Sequence, residues 1–286
     1  MNMSKLRLSR RSITTAAAMV GVLSLAIGAH AALNMRALDA AKAIATEQGE
    51  AVKRAPRLAL VIGNGHYPDA GAPLTQPIND ARALTAALRR NGFDVDVVED
   101  ASRDDMDRAV DRLKAKISSD SVVMLYFGGY GVQVGRESYM IPVDAAIWKE
   151  ADVRRDGLSI EAVLDVMKER GARAKLVVID ASRRNPYERR FRAFSHGLAP
   201  INAPDNALIL SSATPGKVAD DSSGQYSVLM AELLNNLDAQ AQGAEAVFNK
   251  TRVAISRASE GEQVPSVSSS LMEDVSFSAS EEKAGG

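Results

Sequence analysis

Five short, predominantly apolar runs recur along this chain, and they constrain its fold more than any other feature. The runs cover residues 58–62, 95–98, 122–127, 175–179 and 207–210. Each is too short for a helix, and segments of helical length separate them. Strands that lack regular polar alternation are typical of parallel sheets that helices cover on both faces. The pattern therefore predicts an α/β sandwich around a mostly parallel sheet.

The segments between and after these runs carry apolar residues at helical spacing. The predicted helices cover residues 80–90, a segment that starts after Ser102, and residues 160–170, 228–237 and 244–256. Ser102 is a candidate N-cap, because acidic residues follow it in the first turn. In such sheets the functional residues lie in loops beyond the carboxyl ends of the strands. The loops after Ile62, Phe127, Ile179 and Leu210 are therefore predicted to carry the site.

The two ends of the chain are predicted to lie outside this domain. Four basic residues precede a charge-free stretch over residues 13–29, and Ala29-His30-Ala31 then gives the small-x-small pattern of a signal peptidase site. We therefore expect residues 1–31 to be a signal peptide, with an uncleaved inner-membrane anchor as the alternative. Either reading predicts an exported protein, periplasmic or extracellular. Residues 32–56 read as a helical spacer, and the Ser-, Glu- and Gly-rich residues 278–286 as a disordered tail.

Composition excludes several classes of function. The net charge is -1, from 35 basic and 36 acidic residues, so bulk electrostatics gives no reason to expect a nucleic acid partner. The chain has no cysteine, which excludes disulfides, thiolate metal sites and a cysteine nucleophile. No P-loop, zinc-ligand spacing or dinucleotide fingerprint is present. We therefore predict no cofactor, and we expect a membrane partner only if the N-terminal segment stays uncleaved.

Three motifs in the predicted loops resemble those of a known family. Residues 126–133 read Y-F-G-G-Y-G-V-Q, residues 139–144 read Y-M-I-P-V-D, and residues 177–186 read V-V-I-D-A-S-R-R-N-P. They are similar to Y-Y-A-G-H-G-V-Q, Y-L-I-P-V-D and L-D-A-C-R-N-N-P of bacterial, metacaspase-type members of the caspase family (peptidase C14). The resemblance implies a caspase-like three-layer sandwich with about six strands over residues 57–277. Its p20-like part would cover 57–200 and its p10-like part 201–277.

The chain departs from this family at the two positions that carry its chemistry. Tyr130 stands at the position of the family's histidine base, and Ser182 at that of its cysteine nucleophile. A serine hydroxyl needs a neighbouring base during attack. A tyrosine with a pKa of about 10 is roughly 0.1% phenolate at pH 7, which costs about 4 kcal/mol before any reaction begins. Cysteine-type proteolysis is therefore predicted to be lost, although the resemblance implies an oxyanion hole formed by the amides of Gly131 and Ser182.

The resemblance also implies a substrate-binding site. Asp80 and Asp180 match positions at which metacaspases hold an Arg or Lys side chain, a contact that charge-assisted hydrogen bonds favour. The alternative readings are a helix N-terminal acid for Asp80 and a strand-end group bonded to backbone for Asp180. Asp220 and Asp221 are candidate Ca²⁺ ligands by resemblance, although two adjacent acids in a Gly- and Ser-containing loop are more often simply solvated.

The function predicted from these residues is that of an exported pseudoprotease, which binds a peptide or protein segment in a retained cleft without cutting it. One alternative is an endopeptidase that uses Ser182 as nucleophile, with Tyr130 or His66 assisting, and cleaves after Arg or Lys. The other alternative is a scaffold domain with a vestigial cleft. The ligand's identity and the oligomeric state stay open. His196 follows the nucleophile position and is read as an ordinary loop residue.

Overall fold

The computed structural model describes residues 55–68, 73–181, 183, 186–187, 197–219, 224–237 and 242–277. The predicted signal peptide, most of the predicted spacer and the predicted tail therefore lie outside the described residues. Within the described part of the chain, no helix is long and apolar enough to cross a membrane. The export prediction and the anchor alternative stay predictions.

A six-stranded sheet forms the centre of the domain, in the order β2-β1-β3-β7-β8-β9. Its strands are β1 (Arg57–Gly63), β2 (Asp94–Glu99), β3 (Val122–Gly128), β7 (Ala174–Asp180), β8 (Ala207–Ser211) and β9 (Ser266–Ser269). Every pairing in it is parallel except the antiparallel pairing of β8 with β9. A smaller antiparallel sheet contains β4 (Gly131–Val134), β5 (Glu137–Met140) and β6 (Leu158–Ser159). The prediction of a mostly parallel, six-stranded sheet is confirmed.

Helices cover both faces of the central sheet. The described helices are α1 (Gln76–Arg90), α2 (Arg103–Lys116), α3 (Glu150–Asp156), α4 (Ile160–Glu169), α5 (Val228–Leu237) and α6 (Ala244–Ala258). Alternate residues of each central strand enter opposite cores, so that Val61 packs with α1, α5 and α6 while Leu60 packs with α2 and α4. This period-two division of buried strands explains the three layers.

One local prediction, the cap of α2, is confirmed, and one predicted helix start is wrong. Ser102 caps α2, because its side chain accepts from the amide of Asp105 and the Asp105 carboxylate accepts from the amide of Ser102. The first helix begins at Gln76 instead of residue 80, with Pro77 in its first turn, where the missing amide hydrogen costs nothing. Asp80 is therefore not in the first turn, and its reading as a helix N-terminal acid is wrong.

The first strand contacts the end of the described chain. Arg57, the first residue of β1, donates from Nη1 to the carbonyl oxygens of Ser276 and Phe277, at 2.8 and 2.9 Å. Its guanidinium also lies over the ring of Phe93, 5.5 Å from the centroid. These contacts hold residues 276–277 close to the amino-terminal edge of the parallel strands.

Candidate functional site

The site lies where three neighbouring strands end. In the register of the sheet, Gly63 of β1 pairs with Gly128 of β3, and Gly128 pairs with Asp180 of β7. The turns that follow these strands therefore meet at one edge, as the sequence analysis predicts. The Asn64 side chain links them further, because it accepts from the amide of Ala101 and donates to the carbonyl of Ile141.

Tyr130 is held by a second tyrosine that sequence analysis did not single out as a site residue. It is 7% exposed, and its ring packs edge-on against Tyr67 with 4.8 Å between the centroids. The Tyr67 hydroxyl accepts from the backbone amide of Tyr130 at 3.0 Å and donates to the carbonyl of Ile141 at 3.0 Å. Burial raises the pKa of Tyr67 far above its ordinary value, so Tyr67 keeps its proton. The side chain at the position of the family's base, Tyr130, is thus packed against a second aromatic ring.

Tyr67→Phe is expected to lower the free energy of unfolding by about 1–3 kcal/mol, because it leaves the buried amide of Tyr130 without its acceptor. Urea unfolding followed by circular dichroism measures the change. Tyr139→Phe is the matched control, since the Tyr139 hydroxyl donates to a half-exposed carboxylate, Glu137. We expect the control to cost less than about 1 kcal/mol. Equal losses in the two variants would contradict the bridging role of Tyr67.

Gly131, the predicted oxyanion donor, is engaged by the backbone in this conformation. Its amide donates to the carbonyl oxygen of Ala181 at 3.1 Å. A Cβ atom at Gly131 would lie 2.7 Å from Leu198 Cδ2 and 2.9 Å from both the Cβ and the carbonyl oxygen of Ala181, so only glycine fits here. An oxyanion would need the Ala181 carbonyl to turn away first. The oxyanion role of Gly131 stays a prediction.

Asp80 and Asp180 are brought together, with an arginine beside them. Asp80 is 0%, Asp180 2% and Arg183 3% exposed. Nη2 of Arg183 lies 3.7 Å from Oδ2 of Asp180. The hydroxyl of Tyr126 is buried in the same group and has no hydrogen-bond partner among the described residues. We call Asp80, Asp180 and Tyr126 the acid cluster, and Arg183 lies against it.

Asp80 also fixes the start of α5. Both of its carboxylate oxygens accept from the backbone amide of Ser227, at 3.1 and 3.3 Å, and Ser227 in turn caps α5 through the amide of Met230. Burial, and then the charge of Asp180, raise the pKa of Asp80 to about 7 against the opposing effects of Ser227 and Arg183. Burial foremost, followed by both carboxylates, also raises the pKa of Tyr126 well above its ordinary value.

His66 pairs with an acid at the same edge of the sheet. Its Nδ1 lies 2.5 Å from Oδ2 of Asp100, and its imidazole is 71% exposed. The other carboxylate oxygen of Asp100 accepts from the amides of Gly65 and His66. Burial acts against the charge of Asp100, but these hydrogen bonds outweigh it and lower the pKa. A carboxylate that orients an imidazole is the arrangement found behind many general bases.

Several candidate residues cannot be placed. Ser182, His196, Asp220 and Asp221 lie outside the described residues, so their predicted roles stay predictions. Within the described ranges, no three acidic or histidine side chains are grouped to hold a metal ion. Ser227 and Arg183 were not predicted as site residues. The sequence signal for Arg183 was its place within the motif of residues 177–186, directly after Ser182.

The fold and the candidate site define an α/β sandwich protein whose candidate functional residues lie near the carboxyl ends of β1, β3 and β7. Residues 56–276 match the family model of the caspase domain, peptidase C14. The chain therefore belongs to the caspase-domain family, as the motifs predicted.

Individual relatives agree with this assignment. The chain is 29% identical over 133 residues to human mucosa-associated lymphoid tissue lymphoma translocation protein 1, and equally so to its mouse homolog. The match covers 46% of this chain and 16% of either relative, so the chain spans only a small part of their length. The crystal structure of protein GSU0716 from Geobacter sulfurreducens superposes with a TM-score of 0.55 at 17% identity, covering 74% of this chain and 92% of that one. This likeness supports the fold alone.

Proposed function

We propose that this protein is an exported pseudoprotease of the caspase family, which binds a peptide or protein segment at the carboxyl edge of its sheet without cleaving it. The observation that carries the proposal is the packing of Tyr130. The side chain at the position of the family's base is buried against Tyr67, and its backbone amide donates to that neighbour's hydroxyl. A neutral phenol in such packing does not accept the proton of an attacking hydroxyl.

The geometry around Gly131 supports the same conclusion. Stabilisation of a tetrahedral intermediate requires amide hydrogens that are free to meet the oxyanion. The amide of Gly131 instead donates to Ala181. Catalysis would thus require both a base and a rearranged backbone, whereas binding of a segment requires neither.

The acid cluster gives the proposed ligand its chemical class. Asp80 and Asp180 supply two buried carboxyl groups near the carboxyl edge of the sheet. Buried acids gain most from a guanidinium, which donates several hydrogen bonds in a fixed plane. We therefore propose that the ligand presents an Arg side chain, or less favourably a Lys side chain, to this cluster.

A binding experiment and a turnover experiment together test the proposal. Fluorescence polarisation would compare a labelled tetrapeptide amide ending in Arg with the same peptide ending in citrulline, a neutral isostere. We expect the Arg peptide to bind at least about tenfold more tightly, and Asp180→Asn to remove that difference. Fluorogenic Arg and Lys peptides, with and without Ca²⁺, should be cleaved no faster by the wild type than by Ser182→Ala. Turnover in the wild type that is abolished in Ser182→Ala would contradict the pseudoprotease proposal.

The His66–Asp100 pair supports a second candidate, an endopeptidase in which His66 acts as a displaced base for Ser182. Asp100 holds the imidazole while leaving it exposed. On this alternative, turnover would be lost in both His66→Ala and Ser182→Ala and retained in Tyr130→Phe. On the pseudoprotease proposal, all of these proteins show the same background rate.

The export part of the proposal rests on residues 1–31. Expression of the full chain in a Gram-negative host, followed by fractionation and N-terminal sequencing, tests it. We expect a periplasmic product that begins at Ala32. A cytoplasmic protein with an intact N-terminus would contradict export.

A further inference from the structure

Arg183 is an unusually placed cation. Arg183 directly follows Ser182, which stands at the position of the family's nucleophile. Its side chain is only 3% exposed and lies against Asp180, which is 2% exposed. Removing a guanidinium from water is costly unless nearby acids compensate it. The acid cluster contributes this compensation through Asp180, so the cluster is already engaged by a side chain of the protein itself.

The contact is not an optimal one. The 3.7 Å between Nη2 of Arg183 and Oδ2 of Asp180 is too long for a hydrogen bond. Among the described residues, Oδ2 of Asp180 and the hydroxyl of Tyr126 have no hydrogen-bond partner, although both are buried. The cluster thus retains acceptor capacity that Arg183 does not use. A ligand guanidinium within hydrogen-bond distance could donate to these two oxygen atoms.

We propose that Arg183 occupies, in the free protein, the place that the ligand's Arg side chain takes, and that binding exchanges one guanidinium for the other. This inference rests on the proposed function, because it concerns the same acid cluster. Asp80, Asp180 and Tyr126 are the acidic groups that face Arg183 from α1, β7 and β3, and the charge of Arg183 acts on both Asp80 and Tyr126. Two buried guanidiniums beside these groups would repel each other, so the internal one leaves.

The exchange would also decide which ligands bind. A peptide with a neutral side chain cannot replace Arg183 without leaving the carboxylates unpaired, which is costly in a buried site. Only a ligand that brings its own cation compensates them. Arg183 therefore acts as a specificity-determining residue.

Nuclear magnetic resonance of the wild-type protein tests the exchange directly. The Nε–Hε signal of Arg183, assigned by its loss in Arg183→Lys, should exchange slowly with water in the free protein. Saturation with the Arg-terminated tetrapeptide should shift this signal and speed its exchange by at least about tenfold. An unchanged signal at saturation would overturn the inference.

Variants give an independent measurement. Arg183→Met keeps much of the aliphatic bulk and removes the cation, so it should bind the Arg peptide at least about tenfold more tightly than the wild type. The affinity of Arg183→Lys for the Arg peptide should lie between those of the wild type and Arg183→Met. If Arg183→Met does not fold, Arg183→Lys takes its place in the test. Arg108→Met is the control, because Arg108 is an exposed side chain paired with Asp105 on α2. Its affinity should equal that of the wild type.

The outcomes separate the two proposals. Wild-type binding that depends on Asp180 but is not tightened in the Arg183 variants would overturn the exchange and leave the proposed function standing. If neither the wild type nor any Arg183 variant prefers Arg to citrulline, the proposed function fails and the exchange fails with it. Tighter binding in Arg183→Met, together with a shifted Arg183 signal in the wild type, supports both.

Discussion

The contribution of Asp80 to the free energy of unfolding is expected to fall by up to about 4 kcal/mol as the pH rises from about 4 to about 7, and Asp80→Asn should remove this fall. The folded state raises the pKa of Asp80 from 3.8 to about 7, so between these values it binds more protons than the unfolded chain does. The contribution is therefore fully present below pH 4 and is lost as Asp80 ionises. Asparagine resembles the protonated carboxyl group and still accepts from Ser227.

Urea unfolding at a series of pH values measures this effect as the difference between the two proteins. The free energies of wild type and Asp80→Asn should diverge toward neutral pH, with the variant the more stable at pH 8. Asp111→Asn is the control, since it makes the same chemical change at an exposed residue of α2. Parallel profiles for the wild type and Asp80→Asn would show that the folded state does not raise the pKa of Asp80.

Gly197→Ala is expected to lower the free energy of unfolding by at least about 3 kcal/mol. Gly197 has a φ of 66°, and a Cβ atom there would lie 2.0 Å from the carbonyl oxygen of Lys217. The neighbouring atom is backbone, so a side-chain rotation cannot relieve the overlap. The change would displace Leu198, which packs against Gly131, and would therefore loosen the site as well.

Gly216→Ala separates the clash from the backbone strain. Gly216 has a φ of 75°, but a Cβ atom there would meet nothing within 4 Å. It should therefore cost only about 1 kcal/mol, the penalty of the left-handed conformation for alanine. Thermal and urea unfolding measure both variants. A similar loss in the two would mean that the contact of Gly197 with Lys217 is not the cause.

The central sheet could be predicted because each of its core strands is a short, predominantly apolar run that is visible in the local sequence. Residues 58–62 and 122–127 are apolar runs, and both became fully packed strands, β1 and β3. Other elements carry no such signal. The edge strand β9 reads Ser-Val-Ser-Ser, and β4 is a four-residue strand with a glycine and a glutamine, so neither shows the apolar density of a core strand. Their pairing depends on neighbours that are distant in sequence.

The site was predictable in its location more than in its contacts. The rule that functional residues follow strand ends placed Tyr130 and Asp180 at one edge, and the resemblance added Asp80. The hydroxyl of Tyr67 against the amide of Tyr130, and Arg183 against the acid cluster, are consequences of packing between segments. Residue types and spacing do not encode such contacts, since a tyrosine or arginine in a loop is ordinarily exposed.

The contacts of Arg57 bear on how this domain can be attached to anything else. Because they hold residues 276–277 beside the start of β1, both ends of the described domain lie at the amino-terminal edge of the parallel strands, opposite the edge that carries the acid cluster. A linker, tag or surface joined at either point is thus on the far side from the acid cluster. A domain attached at either point would therefore present the carboxyl edge of its sheet away from the attachment point.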